Sequence, residues 1–299
     1  MREPGQAGEP ARDGPIAILA GSGELPMRLA DRLTASGRTV RVLAFRGFCE
    51  RRLTARADAV VNLLDLRRIV STLESWQPAA LTLAGALRRP SVSALIGAYS
   101  AYRDRDYVAA VVSRGDDNLL RGAVELLESK GFPLLGVREL APELLAAPGR
   151  YGIHAPSPQS FASIECGFRM LEALSPYDVG QAAVVSGFRV IAVEGPEGTD
   201  RMLARARKIA AGGFLRRARP GGVLVKGPKR DQDLRVDLPA IGPRTVAHAA
   251  KAGLDGIAIA QGLTLVLDRE GTIAAANKAG LFLVGIDRDA LLRGEATGG

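Results

Sequence analysis

Short apolar runs alternate with amphipathic stretches through the first half of the chain. Residues 15–20, 39–45, 59–63 and 79–84 are apolar runs of strand length, which predicts strands buried on both faces. Between them, 26–35 and 66–76 carry the spacing of one-sided helices, and a further helix opens at Asp116 and runs to about residue 130. Residues 132–137 are expected to close the sheet. This alternation predicts a parallel sheet covered by helices, so 15–140 reads as a Rossmann-like α/β domain.

The second half repeats the theme less regularly. Residues 141–152, rich in Pro, Gly and Ala, read as a linker. A helix is expected over 157–174. Residues 182–193 read as a hairpin turning at Ser186-Gly187, and 199–211 as a helix capped by Thr199. Strands follow at 222–226, 256–260, 263–267 and 281–286. Helices are expected at 245–252, stopped by Gly253, and again up to 277–280. The predicted architecture is two α/β domains joined by a linker, residues 15–140 and 153–290, with a ligand cleft between them as the default site. Residues 1–14 and 291–299 read as tails, the first polar and disordered, and the chain after about 289 as frayed.

One stretch, from Lys226 to Gly242, is denser in charge, glycine and proline than the rest. Its middle alternates: Asp233, Arg235 and Asp237 share one face of an extended chain, and Leu234, Val236 and Leu238 the other. Pro239 and Gly242 end the predicted strand. Carboxylate, guanidinium and carboxylate, with Lys226 and Lys229 just upstream, are the groups that phosphoryl transfer uses. They are equally the groups of a salt-bridged strand facing solvent.

Gly21-Ser22-Gly23 joins the first strand to the first helix. Such a loop either makes a tight turn or holds phosphate on backbone N–H groups. Pro26 stands where the third glycine of a dinucleotide loop belongs, and no Gly-Lys-Ser/Thr follows, so this is not a P-loop. Gly85 opens Gly85-Ala86-Leu87-Arg88-Arg89-Pro90 at a strand's C-terminal end, where open α/β sheets bind ligands. Arg114, Asp116 and Asp117 either cap a helix or contact substrate or metal. Glu197, Thr199 and Asp200 carry the same two readings.

Composition narrows the ligand class. The chain has 299 residues, 47% of them hydrophobic, enough for two cores. Its formal charge of +8 favours an anionic partner, either a phosphorylated molecule or an anionic membrane surface. With only 5% aromatic residues, stacking platforms are scarce and no nucleic-acid partner is expected. Cys49 and Cys166 lie far apart and read as free thiols of a reducing compartment. His154 and His248 are the only histidines, so a multi-histidine zinc site is excluded. A metal would take oxygen ligands, which means Mg²⁺ or Mn²⁺. No apolar run approaches the ~20 residues that span a bilayer, and no signal-peptide core is present. The expected location is cytoplasmic, with the inner membrane surface as a peripheral alternative.

Taken together, several short motifs resemble one family. They are Leu19-Ala20-Gly21-Ser22-Gly23-Glu24-Leu25-Pro26, Ala84-Gly85 with Arg89-Pro90, Arg114-Gly115-Asp116-Asp117, and Asp178-Val179-Gly180-Gln181. Further along are Glu197-Gly198-Thr199-Asp200 and Lys226 with Arg235-Val236-Asp237-Leu238-Pro239 and Ile241-Gly242. In this order and spacing, over about residues 15–287, the chain resembles the LpxI family of UDP-2,3-diacylglucosamine pyrophosphatases of lipid A biosynthesis.

The resemblance implies two α/β domains, a homodimer, dependence on Mg²⁺, and cleavage of UDP-2,3-diacylglucosamine to UMP and 2,3-diacylglucosamine 1-phosphate (lipid X). It implies that Asp237 is the catalytic aspartate. Asp237 and Asp233 are then the expected metal ligands, with Asp200 a further candidate to assist. Lys226 and Arg235 are expected on phosphate oxygens. Gly21, Ser22, Gly23, Gly85, Arg114, Asp116, Asp117, Gln181, Thr199 and Asp200 complete the expected substrate contacts. At Ala155 the chain departs from the hydroxyl residue common in the family.

Two other classes stay open on the residues alone. One is an NADP-binding Rossmann oxidoreductase, for which Arg46 after the second strand would suit a 2′-phosphate. The other is a nucleotide-sugar or lipid carrier without turnover.

Overall fold

The computed structural model describes residues 14–87, 116–177, 179–211, 221–230 and 232–295, apart from the side chains at 116–121, 123 and 211. The chain divides into two compact units. The first comprises the chain up to Pro142 together with Asp233–Asp237, and the second holds the remainder.

In the first unit, β1 (Ile16–Ala20), β2 (Val40–Phe45), β3 (Ala59–Val61) and β4 (Ala80–Ala84) form a parallel sheet in the order β3-β2-β1-β4. All five residues of β1 are buried, as an interior parallel strand requires. Helices α1 (Leu25–Ala35), α2 (Arg51–Thr54), α3 (Leu66–Trp76), α4 (Asp116–Ser129) and α5 (Val137–Leu140) accompany it. Helix α3 starts where the Asp65 carboxylate accepts from Arg68 N–H, and it buries Leu66, Ile69 and Leu73 at helical spacing. Ile69 and Leu73 join Leu19, Leu43, Phe45, Leu81, Val124 and Leu127 in one core.

Two expectations fail in this unit. Residues 132–137 make no full strand and meet β4 only at a single Leu81–Leu134 bridge. Pro133 has no N–H to donate, and Gly136 already caps α5. The alternating stretch after Lys226 is not a strand either. Residues 234–236 form a turn in which Val236 N–H and Asp237 N–H both donate to the Asp233 carbonyl, at 3.0 and 3.2 Å. The Asp233 carboxylate also accepts from Arg235 N–H at 3.0 Å, a local bond that competes with any strand ladder. Val236 packs against the first unit's core.

In the second unit, β5 (Gly149–Arg150), β6 (Ala182–Ser186), β7 (Arg189–Val193), β8 (Val223–Lys226), β10 (Gly256–Ala260) and β12 (Phe282–Ile286) form one sheet in the order β5-β12-β10-β8-β6-β7. Strands β8, β10 and β12 run parallel, and β5, β6 and β7 are antiparallel to their neighbours. Strands β9 (Ala240–Ile241) and β11 (Leu265–Val266) pair separately, so the expected strand at 263–267 leaves the main sheet.

The period-two alternation of β-structure divides the main sheet's side chains between two cores. Leu224, Ile257, Ile259 and Leu283 pack with Met202 and Leu203 of α7 (Thr199–Ala211) and Val246 of α8 (Pro243–Lys251). Val223, Val225, Ala258 and Phe282 pack with Ile164, Phe168 and Leu171 of α6 (Pro158–Leu174). Helices α9 (Arg269–Ala279) and α10 (Arg288–Arg293) complete the unit.

From Glu143 on, the expected linker at 141–152 is built into this unit. It carries a 3-10 turn at Pro142–Leu144 and strand β5, and it is tied down by Ala146 N–H to Thr264 O and Tyr151 N–H to Leu283 O. The expected fraying after 289 is absent as far as residue 293, because the Asp287 carboxylate caps α10 through Ala290 N–H and Gly294 closes it in a left-handed conformation. Among the described residues no helix is long and apolar enough to cross a membrane.

Candidate functional site

The last residue of β8 is a lysine in an otherwise apolar strand, Val-Leu-Val-Lys. Lys226 shares the face of Leu224, so its side chain points to the side covered by α7 and α8. It is only 7% exposed. Its Nζ donates to Thr199 Oγ1 at 2.7 Å, and Thr199 Oγ1 donates to Glu194 Oε1 at 2.8 Å. Thr199 opens α7 rather than capping it. The capping carbonyl is that of Gly198, which accepts from Met202 N–H.

Among the described residues Lys226 makes no ion pair, and Thr199 is its one hydrogen-bond partner. An ammonium carries three donors and is expensive to bury without an anion. Thus a largely buried cation stands at the C-terminal end of the parallel strands with donors to spare. Gln181 lies beside it, its carbonyl accepting from Gly227 N–H at 3.0 Å. Asp200, the next residue along α7, is engaged by Arg244 at 3.0 Å and lies 3.5 Å from His248 Nδ1.

In the first unit, the loops after β1 and β4 are knitted together. Ser22 and Ala86 exchange backbone hydrogen bonds at 2.9 Å each, and Ser22 Oγ also donates to Ala86 O. Gly21 and Gly85 allow this approach. A Cβ at Gly21 would lie 2.6 Å from Ala86 O, and one at Gly85 would lie 2.5 Å from Ser22 O. The Gly23 N–H, expected to face phosphate, donates to Glu50 Oε1 at 3.1 Å. Cys49 Sγ lies 3.0 Å from Ala20 O at the same bend, and burial raises its thiol pKa.

The Asp233–Asp237 turn is the third assembly. Arg235 grips Asp233 with Nε and Nη2, at 3.1 and 2.9 Å, and its Nη1 reaches Glu128 of α4 at 2.9 Å. Asp233 is the chief reason the guanidinium holds its proton even more firmly than usual. Both groups expected on a ligand, Arg235 on phosphate and Asp233 on metal, are therefore occupied in shaping the turn that carries Asp237. Among the described residues no three Asp, Glu, His or Cys side chains gather into a set that could hold a metal ion.

Arg114 lies outside the described residues, as do the side chains of Asp116 and Asp117, whose backbone opens α4. The sequence reading missed Glu194, Glu50 and Glu128. Each contacts its partner across a long sequence separation or through a loop, and periodicity carries no signal of that kind. Glu197, singled out from sequence, pairs instead with Arg205 at 2.6 Å.

Comparison with known proteins bears on both units. The family model described as the LpxI N-terminal domain matches residues 15–144, and that of the LpxI C-terminal domain matches 147–284. The chain is 37% identical to the UDP-2,3-diacylglucosamine pyrophosphatase LpxI of Caulobacter vibrioides, over 91% of this chain and 97% of the relative. Among solved structures, the complex of the Thermus thermophilus UDP-glucose 4-epimerase with NAD aligns over 93% of this chain and 92% of its own. The identity there is 15% and the TM-score 0.30, so it carries no argument about this chain.

Proposed function

The chain belongs to the LpxI family, and on that footing we propose that it hydrolyses the pyrophosphate bond of UDP-2,3-diacylglucosamine, releasing UMP and 2,3-diacylglucosamine 1-phosphate. The observation that carries the proposal at the level of residues is Lys226, a buried cation whose one partner among the described residues is a neutral hydroxyl. A phosphate oxygen is the acceptor such an ammonium lacks, and in a dry setting that contact is strong.

Hydrolysis of a phosphoric anhydride needs neutralised phosphoryl oxygens and a water in line with the leaving oxygen. Lys226 and the Thr199 hydroxyl are assigned to the oxygens. Asp237 is assigned to the water, as the aspartate the family resemblance marks. Arg235 and Asp233 act one step back, by holding the turn.

A Mg²⁺ requirement is part of the proposal. Mg²⁺ commonly rides on substrate phosphates with one or two carboxylates, and Asp237 is the carboxylate assigned to it. The ion would add positive charge at the phosphoryl oxygens. A homodimer and peripheral contact with an anionic inner membrane surface are further parts, the latter favoured by the charge of +8 and by a diacylated substrate.

The test is turnover of UDP-2,3-diacylglucosamine by the purified chain with Mg²⁺ and with EDTA, beside Lys226→Met and Asp237→Asn. Formation of UMP and 2,3-diacylglucosamine 1-phosphate that needs both residues supports the reading. Substrate binding without any product would move the chain to the carrier class.

A further inference from the structure

We infer that Glu194 is a positioning residue for the phosphate-binding lysine: it sets the polarity of the Thr199 hydroxyl and so aims the Lys226 ammonium. The inference rests on the phosphate role proposed for Lys226. The Thr199 hydroxyl has a single proton. An ionised carboxylate only accepts, so the 2.8 Å contact with Glu194 Oε1 takes that proton. The hydroxyl oxygen is then left to accept from Lys226 Nζ at 2.7 Å. Without Glu194 the hydroxyl oxygen can still accept from the ammonium, but its proton is free to turn toward the anion or the helix, and nothing then fixes the lone pair that faces Nζ.

The backbone around Glu194 is arranged to keep that carboxylate in place. Glu194 N–H donates to Ala182 O at 2.8 Å, and Glu194 O accepts from Gly180 N–H at 2.9 Å. Gly180 leaves the space the side chain occupies: a Cβ there would lie 2.5 Å from Glu194 Cγ and 2.6 Å from its Cβ. Ala182 is in turn the register partner of Lys226 across β6 and β8. The carboxylate, the hydroxyl and the ammonium are thus referenced to the same strand pair. Oε2 of Glu194 is buried and has no hydrogen-bond partner among the described residues, so Thr199 is the group there that the side chain serves.

The experiment is a double-mutant cycle read by calorimetric titration of inorganic pyrophosphate into the full chain. Glu194→Ala and Thr199→Val should each weaken binding about tenfold, and the double variant should be no weaker than either single, because both break one link. Glu194→Gln keeps a carbonyl acceptor for the hydroxyl and should stay within about threefold of the parent. Glu194→Met fills the space without an acceptor and replaces the alanine variant if that one does not fold. Losses that multiply in the double variant would overturn the inference. So would a glutamine variant as weak as the alanine one, an unchanged affinity in Glu194→Ala, or a parent chain that does not bind pyrophosphate. Pyrophosphate binding does not depend on turnover. A closed cycle with no turnover of UDP-2,3-diacylglucosamine would sink the proposed reaction and leave the positioning role. Turnover with an open cycle would do the reverse.

Discussion

Arg235 reaches from a turn late in the chain to Glu128 of helix α4, Nη1 to Oε1, at 2.9 Å. The same guanidinium holds Asp233, two residues before it, with its other edge. Five residues that sequence order would assign to the second unit therefore belong to the first, and Asp237 closes that turn.

Weakening the clamp should hurt activity more than stability. The pair is partly exposed, so Glu128→Gln should lower unfolding free energy by only about 0.5 kcal/mol. If Asp237 works in the reaction, kcat should fall by about tenfold or more, because small misplacements of a reacting group are costly. Arg235→Lys should do the same, since a lysine cannot grip Asp233 with two donors while holding Glu128. Urea unfolding beside steady-state kinetics checks both, and unchanged kcat with a large stability loss would make the clamp purely architectural.

Lys226→Met should separate function from stability more sharply still. The variant keeps an unbranched side chain in a 7% exposed position and removes a buried charge. Stability should hold or rise by about 1 kcal/mol, while turnover falls about a hundredfold or more. A drop in thermal midpoint with activity retained would show the ammonium to be structural.

Asp237→Asn is expected to lower kcat by about a hundredfold or more, the usual scale for losing a positioned proton acceptor. The fold should persist, because the amide has the shape of the carboxylate and both backbone hydrogen bonds of the turn, from Val236 N–H and Asp237 N–H to the Asp233 carbonyl, are kept. Circular dichroism together with product release by chromatography reads the two parts.

Gly85→Ala should destabilise the first unit by about 2 kcal/mol or more. Its backbone sits at φ +88°, and an added Cβ would meet Ser22 O at 2.5 Å and Pro26 Cγ at 3.0 Å. Denaturant midpoints report the loss. Gly23→Ala should be milder: it shares the positive φ, at +97°, but nothing lies within 4 Å of its Cβ.

Cys49 should alkylate slowly at neutral pH in the native protein and at an ordinary rate in urea. Burial raises the thiol's pKa, so less thiolate is present at a given pH than in the unfolded chain. The sign for stability follows. The folded state is favoured below the unfolded thiol pKa, and that contribution is lost as pH rises through the higher folded value. Iodoacetamide labelling across mildly alkaline pH, followed by peptide mass analysis, would show native labelling lagging unfolded labelling. Equal rates would contradict the raised value.

The sequence by itself determined the layers. Apolar runs spaced by one-sided helices placed all four strands of the parallel sheet, though they also implied a fifth at 132–137 that is reduced to one bridge, and Leu66–Trp76 falls where its periodicity put it. Burial of regular elements is a local property of pattern, which a chain carries in its own order. The glycines of the β1 and β4 loops and the lysine ending β8 were legible for the same reason: each stands at a fixed offset from a strand.

Tertiary structure alone decided what those residues touch. Charge alternation over Asp233, Arg235 and Asp237 implied a strand, but a carboxylate bonding to an N–H two residues on, and an arginine meeting Glu128, turned it into a docked loop. Glu194 meets Lys226 through Thr199, and Glu50 takes the Gly23 N–H, because folding brings loops from separate elements side by side. Such pairings depend on which strands are neighbours, as in Ala182 opposite Lys226, and no periodicity along the chain encodes that.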